Sequence, residues 1–172
     1  YNFSENLVFS STAYRTRIKD RIKLNGSWSA YENKILDTTQ EGLENELSYN
    51  FSNQKISLMS NFSKSRTDTN GPNSRRPDLT YGIDYIGKLK LPNYGLFKAG
   101  LNYRYIGDHI DWTGSKNEFV KSVDLVNAFI SKDFYGLDLS LNISNLLNER
   151  YEKPATYSQD GRQLRLGFKK SY

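Results

Sequence analysis

Few residues of this chain are equipped to do chemistry, and they are scattered. There is no cysteine and a single histidine, His109. That removes thiolate nucleophiles, disulfides and thiolate metal sites, and it limits any Ser-His arrangement. No Gly-x-Ser-x-Gly elbow and no phosphate-cradling glycine loop occurs, so no catalytic residue is assigned and an enzyme is not expected. Asp108, Asp111 and Asp160 offer oxygen ligands, but their spacing fits no calcium loop. His109 reads as a solvated loop residue, and neither a metal site nor a cofactor is assigned. Trp28, Trp112 and Tyr157 sit in polar segments, where they offer stacking surface to a bound molecule. These three are the candidate ligand contacts. The net charge of +5 comes from dispersed Lys and Arg, with no dense basic run, so nucleic acid is not an expected partner.

The elements that must position these residues are strands. Aromatic residues make up 14% of a chain whose mean hydropathy is only −0.72, and no window approaches the ~20 apolar residues of a spanning helix. A β-barrel escapes that test, because only alternate residues of each strand face lipid. Period-2 alternation is the main signal. Leu137, Leu139, Leu141 and Ile143 interleave with Asp138, Ser140, Asn142 and Ser144, and Leu164, Leu166 and Phe168 with Arg165, Gly167 and Lys169. Similar runs surround Phe97–Tyr105, Tyr81–Tyr85 and Leu43–Phe51. Less regular ones cover about 5 to 17, 55 to 66 and 121 to 133, giving eight strands. Short turns at Ser52-Asn53-Gln54, Leu91–Gly95 and Phe134-Tyr135-Gly136 alternate with long polar loops over about 18 to 33, 67 to 78, 107 to 120 and 151 to 160.

Turns on one side and long loops on the other are the pattern of an outer-membrane barrel. Tyr14, Tyr49, Tyr81, Tyr105, Tyr151 and Tyr172 fall near strand ends, as interfacial anchors do. Charges near the bilayer midplane cost a few kcal/mol each on the lipid side, so Glu44, Asp84, Arg104, Arg165 and Lys169 are expected on a polar, lumenal face. Leu137, Leu139, Leu141, Leu164, Leu166 and Phe168 are expected to share the apolar one. The chain opens at Tyr1 with neither Met nor a signal peptide, and the expectation is a fragment of a longer protein.

The last third carries a specific pattern. Ile143-Ser144-Asn145-Leu146-Leu147-Asn148-Glu149-Arg150-Tyr151-Glu152, then Tyr157, Gly161-Arg162 and the terminal Tyr172 resemble the closing hairpin of TonB-dependent receptors, where Asn-Leu-Phe-Asp/Asn-x-x-Tyr leads to Gly-Arg and a final aromatic residue. Tyr14–Ile22, Tyr31-Glu32-Asn33 with Gln40–Glu44, and Arg75-Arg76-Pro77 extend the resemblance in the same order over nearly the whole chain. Tyr103–Gly107 and the Tyr151-Glu152 loop look most like the cobalamin receptor branch. Leu147 in place of Phe and Lys170 in place of a hydrophobic residue depart from the pattern. The resemblance implies an all-β, antiparallel, up-and-down transmembrane β-barrel of about 22 strands, with this chain, over residues 1 to 172, as its carboxy-terminal part of about eight strands in an open, curved sheet.

It further implies outer-membrane localisation, uptake of cobalamin or a ferric siderophore, contact with the TonB system through a plug outside this sequence, and insertion by the barrel assembly machinery. Arg165, Gly167, Phe168 and Tyr172 resemble the terminal-strand assembly signal. The alternative is a complete eight-stranded barrel with a structural or adhesive role.

Overall fold

A computed structural model describes residues 1, 3–25, 27, 29–34, 38–67, 76–113 and 116–170. Its strands are β1 (Leu7–Ile18), β2 (Arg21–Leu24), β3 (Tyr31–Lys34), β4 (Thr38–Phe51), β5 (Gln54–Thr67), β6 (Leu79–Leu91), β7 (Gly95–Ile106), β8 (His109–Trp112), β9 (Asn117–Val120), β10 (Val123–Phe134), β11 (Leu137–Ser144) and β12 (Gln163–Lys170). Eight of them form one antiparallel sheet in the order β1-β4-β5-β6-β7-β10-β11-β12, so successive wall strands are spatial neighbours. β1 and β12 are its two edges. The sheet is therefore open, and the closed eight-stranded barrel is not favoured.

The short connections are as tight as their residues allow. Phe51 pairs Gln54 across Ser52-Asn53, Leu91 pairs Gly95, and Phe134 pairs Leu137 across Tyr135-Gly136. Tyr135 and Gly136 both take positive φ, at 51° and 83°, the backbone that a two-residue hairpin of matching twist requires. At the opposite end, two segments expected as plain loops carry ribbons, β2 with β3 and β8 with β9. Four residues hold too few periods to announce a strand.

Residues directly opposite one another across an antiparallel pair share a face. Leu139 lies opposite Phe168, Leu141 opposite Leu166 and Ile143 opposite Leu164, while Asp138 faces Lys169 and Asn142 faces Arg165. The apolar face continues through Ile130, Leu101, Tyr85 and Ile56 to Tyr49, Leu47 and Phe9. Glu44, Asp84 and Arg104 fall on the polar face, as expected, with Asn61, Asn102 and Gly82 as their register partners.

This is a single layer with almost no core of its own. Among the described residues the buried apolar ones are Val120, Val123 and Ala155, all at the long-loop end. Leu101, Leu139, Leu164, Leu166 and Phe168 remain exposed. The accessible surface is 12699 Å², against roughly 8,700 Å² for a soluble monomer of this mass. Among the described residues nothing covers the apolar face.

Candidate functional site

A hydrogen-bonded chain of side chains crosses the polar face. Arg104 Nη2 donates to Asp84 Oδ2 at 2.8 Å, Asn102 Nδ2 donates to the other Asp84 oxygen, and Asn127 Nδ2 donates to Asn102 Oδ1 at 3.0 Å. Asn127 Oδ1 then accepts the Asn145 backbone N–H at 3.0 Å. The relay links β6, β7 and β10 to the end of β11. Gly82 makes room for it: a Cβ there would lie 2.5 Å from Arg104 Nη1 and 2.6 Å from the Tyr103 carbonyl oxygen. An open depression of about 490 Å³ lies over this face, with Glu46, Lys55, Asp84, Asn102 and Asn127 along it. Such a wall offers fixed donors and acceptors to whatever fills the space before it.

The relay ends at the connection between β11 and β12. Asn145 is buried and holds a left-handed φ of 51°. Its side-chain amide donates to the carbonyls of Glu149 at 2.9 Å and Asp160 at 3.3 Å, and its Oδ1 accepts from the Glu149 N–H. Asn148, at φ 59°, accepts the Arg162 N–H at 2.9 Å, and Arg162 Nε donates to the Leu146 carbonyl. A Cβ at Gly161 would sit 2.6 Å from Asn148 Oδ1. The Asn-Leu-Leu-Asn and Gly-Arg segments are thus one clamp, with Asn supplying both the unusual backbone and the bonds that hold it.

At the loop end, the buried Asp111 of β8 accepts the Ala155 N–H at 2.8 Å. This bond ties the β8–β9 ribbon to the 151–160 loop. A pocket of about 380 Å³ lies beside it, bounded by His109, Lys121, Tyr151, Lys153 and Pro154. Thr80, Ile106 and Val123 floor the pocket, and they are register partners on the polar face.

The expected contact residues divide unevenly. Trp112 and Tyr157 are exposed, at 49% and 66%, on the two segments that the Asp111 bond brings together. Trp28 and Tyr172 lie outside the described residues, as does Arg75 of the family pattern. Asp111 is not the exposed oxygen ligand its loop position suggested: it is 1% exposed and committed to the Ala155 amide. Asp160 accepts from Gln163 Nε2 at 2.6 Å, while Asp108 is exposed. On β12, Arg165 binds Gln163 Oε1, Phe168 stands exposed at 79%, and Gly167 faces Ser140, whose Oγ a Cβ would meet at 2.7 Å. Reading the sequence alone missed the relay and the Asp111 latch. The Asn-rich spacing signalled the clamp without its bonds.

Residues 1–146 match the model of a family described as TonB dependent receptor-like, beta-barrel. No curated protein sequence matches the chain. Among solved structures, it resembles the FrpB iron transporter from Neisseria meningitidis (F3-3 variant), with a TM-score of 0.74 and 18% identity over 98% of this chain and 29% of that one. The ferripyoverdine receptor of the Pseudomonas aeruginosa outer membrane, bound to ferripyoverdine, gives 0.74 and 16% over 92% and 24%. The copper transporter OprC gives 0.70 and 14% over 94% and 28%. The chain therefore spans under a third of the length of these proteins. They are iron, siderophore and copper proteins, and the cobalamin resemblance finds no support in them.

Proposed function

The chain belongs to the TonB-dependent receptor family of bacterial outer-membrane β-barrels, and we propose that it forms the carboxy-terminal wall of a receptor importing a ferric chelate. The observation that carries this reading is the open eight-stranded sheet with one apolar and one hydrogen-bonded polar face, inside a family whose members are receptors and transporters. The apolar face takes lipid. The polar face, with its Arg104–Asp84–Asn102–Asn127 relay, meets a plug supplied by the rest of the protein, through which the TonB system acts. A ferric siderophore is preferred to cobalamin because the similar structures are those of an iron transporter, a ferripyoverdine receptor and a copper transporter.

Trp112 and Tyr157 are assigned to ligand contact at the loop end, near the pocket of His109, Lys121 and Tyr151, and Trp28 is assigned to ligand contact from its sequence alone. Arg165, Gly167, Phe168 and Tyr172 are assigned to recognition by the barrel assembly machinery.

The test is uptake by cells lacking the parent gene and cells carrying it, both starved of iron. Labelled ferric chelates should enter only where the receptor and an energised inner membrane are present, and labelled cobalamin should enter equally in both. Loss of cobalamin entry on deletion would replace the ferric reading. A barrel that accumulates in the outer membrane while no chelate distinguishes the strains would remove the transport reading.

A further inference from the structure

On three adjacent strands the charges beyond the apolar band are on the outside. Arg15, Glu41 and Lys64 are register partners across β1, β4 and β5, and Arg17, Thr39 and Arg66 form the next row. Both rows share parity with Phe9, Leu43, Leu47 and Phe62, so they continue the lipid-facing side. The polar-face rows at the same height are Tyr14-Gly42-Ser63 and Thr16-Gln40-Ser65, which carry no charge. These two rows thus carry four cations and one carboxylate, with Arg15 78% exposed and its Glu41 contact a loose 4.0 Å.

Height fits this charge to one layer of the membrane. The topmost apolar row is Ala13-Leu43-Phe62, and each further row rises about 7 Å along the strand. With strands tilted ~40°, the two charged rows stand roughly 5 and 10 Å beyond the hydrocarbon edge, within the headgroup layer. They lie at the end of the sheet that carries the long connections, which face outward in these barrels.

Resting on the membrane placement above, we infer that Arg15, Arg17, Lys64 and Arg66 form a docking site for the phosphate groups of an anionic lipid in the outer leaflet. Guanidinium forks suit phosphate oxygens, and an apolar band directly beneath accepts the acyl chains. Phosphate chemistry and acyl packing are then satisfied by one molecule.

The experiment uses the full-length receptor in vesicles of phosphatidylethanolamine containing diphosphoryl lipid A, followed by extraction and native mass spectrometry of retained lipid. The pair Lys64→Gln and Arg66→Gln should lower retention on the order of tenfold. Lys88→Gln with Lys98→Gln, a register pair on the polar face, should leave it unchanged. Lys64→Arg with Arg66→Lys should retain the lipid. Arg15→Gln alone, at so exposed a side chain, should fold whatever the pair does and lower retention several-fold. Equal retention in the Gln variants, or an equal loss from Lys88→Gln with Lys98→Gln, would overturn the site. Binding of inorganic phosphate with the same variant sensitivity would overturn the lipid assignment. Failure of the membrane placement is distinguishable, since the wild type itself would then lack a heat-modifiable band.

Discussion

Asn145 joins a strained backbone angle to three side-chain hydrogen bonds, and a residue that does both cannot be replaced by one that does either. Asn145→Ala loses the side-chain bonds to Glu149 and Asp160 and keeps a φ of 51° that a Cβ disfavours. Asn145→Gly relieves the angle but restores no bond. Leaving buried polar groups unpaired costs roughly 1–3 kcal/mol. Exchange of the Glu149 amide should therefore quicken by about tenfold to a hundredfold in the Ala variant and less in the Gly variant. Equal rates in the two would mean that the angle is irrelevant. Asp111 poses the same question without strain. Asp111→Ala uncovers the Ala155 amide and should speed its exchange by a comparable factor, whereas Asp111→Asn keeps an acceptor oxygen and should do less. Unchanged exchange at Ala155 in Asp111→Ala would show that the loop is held by other contacts.

Strands set their neighbours by register, and two glycines show what that costs. A Cβ at Gly82 meets the Tyr103 carbonyl oxygen at 2.6 Å, which is backbone of the adjacent strand, as well as Arg104 Cδ at 2.8 Å. A Cβ at Gly100 meets Phe129 Cε1 at 2.2 Å, a ring that can turn aside. In the parent receptor, Gly82→Ala should therefore lower the urea midpoint of the barrel more than Gly100→Ala, by roughly 1–3 kcal/mol of overpacking. The reverse order would mean that β6 and β7 are not held as described. Alternation made such strands legible where each outward residue is large and apolar, as from Leu137 to Ile143. Tyr135-Gly136 and Ser52-Asn53 marked the tight turns, and these fixed the neighbours. The contacts themselves were not legible. Arg104 reaches Asp84 across 20 residues only once the register is set, and Asp111, between Ile110 and Trp112, carries no mark of its burial.

A chain that exposes 12699 Å² and, among its described residues, buries three apolar ones is incomplete in two directions. Its edges, β1 and β12, present unpaired backbone groups, each costing several kcal/mol in hydrocarbon, and on the proposed reading further strands of the parent flank them. On the proposed reading its apolar face meets lipid, and this can be tested at neighbouring positions. Leu58 is 41% exposed between Leu47 and Ile83, whereas Met59 sits between Glu46 and Gly82 on the polar face. An arginine on the lipid side near mid-height costs about 2–4 kcal/mol. On the polar side it gains a carboxylate neighbour in Glu46. Leu58→Arg should thus sharply reduce the folded, heat-modifiable fraction of the parent receptor refolded into vesicles, while Met59→Arg should leave it near wild type. If both are tolerated, water rather than lipid covers the apolar face. If Met59→Arg alone is harmful, the two faces have been assigned the wrong way round, and every lumenal role given to Asp84 and Arg104 reverses with them.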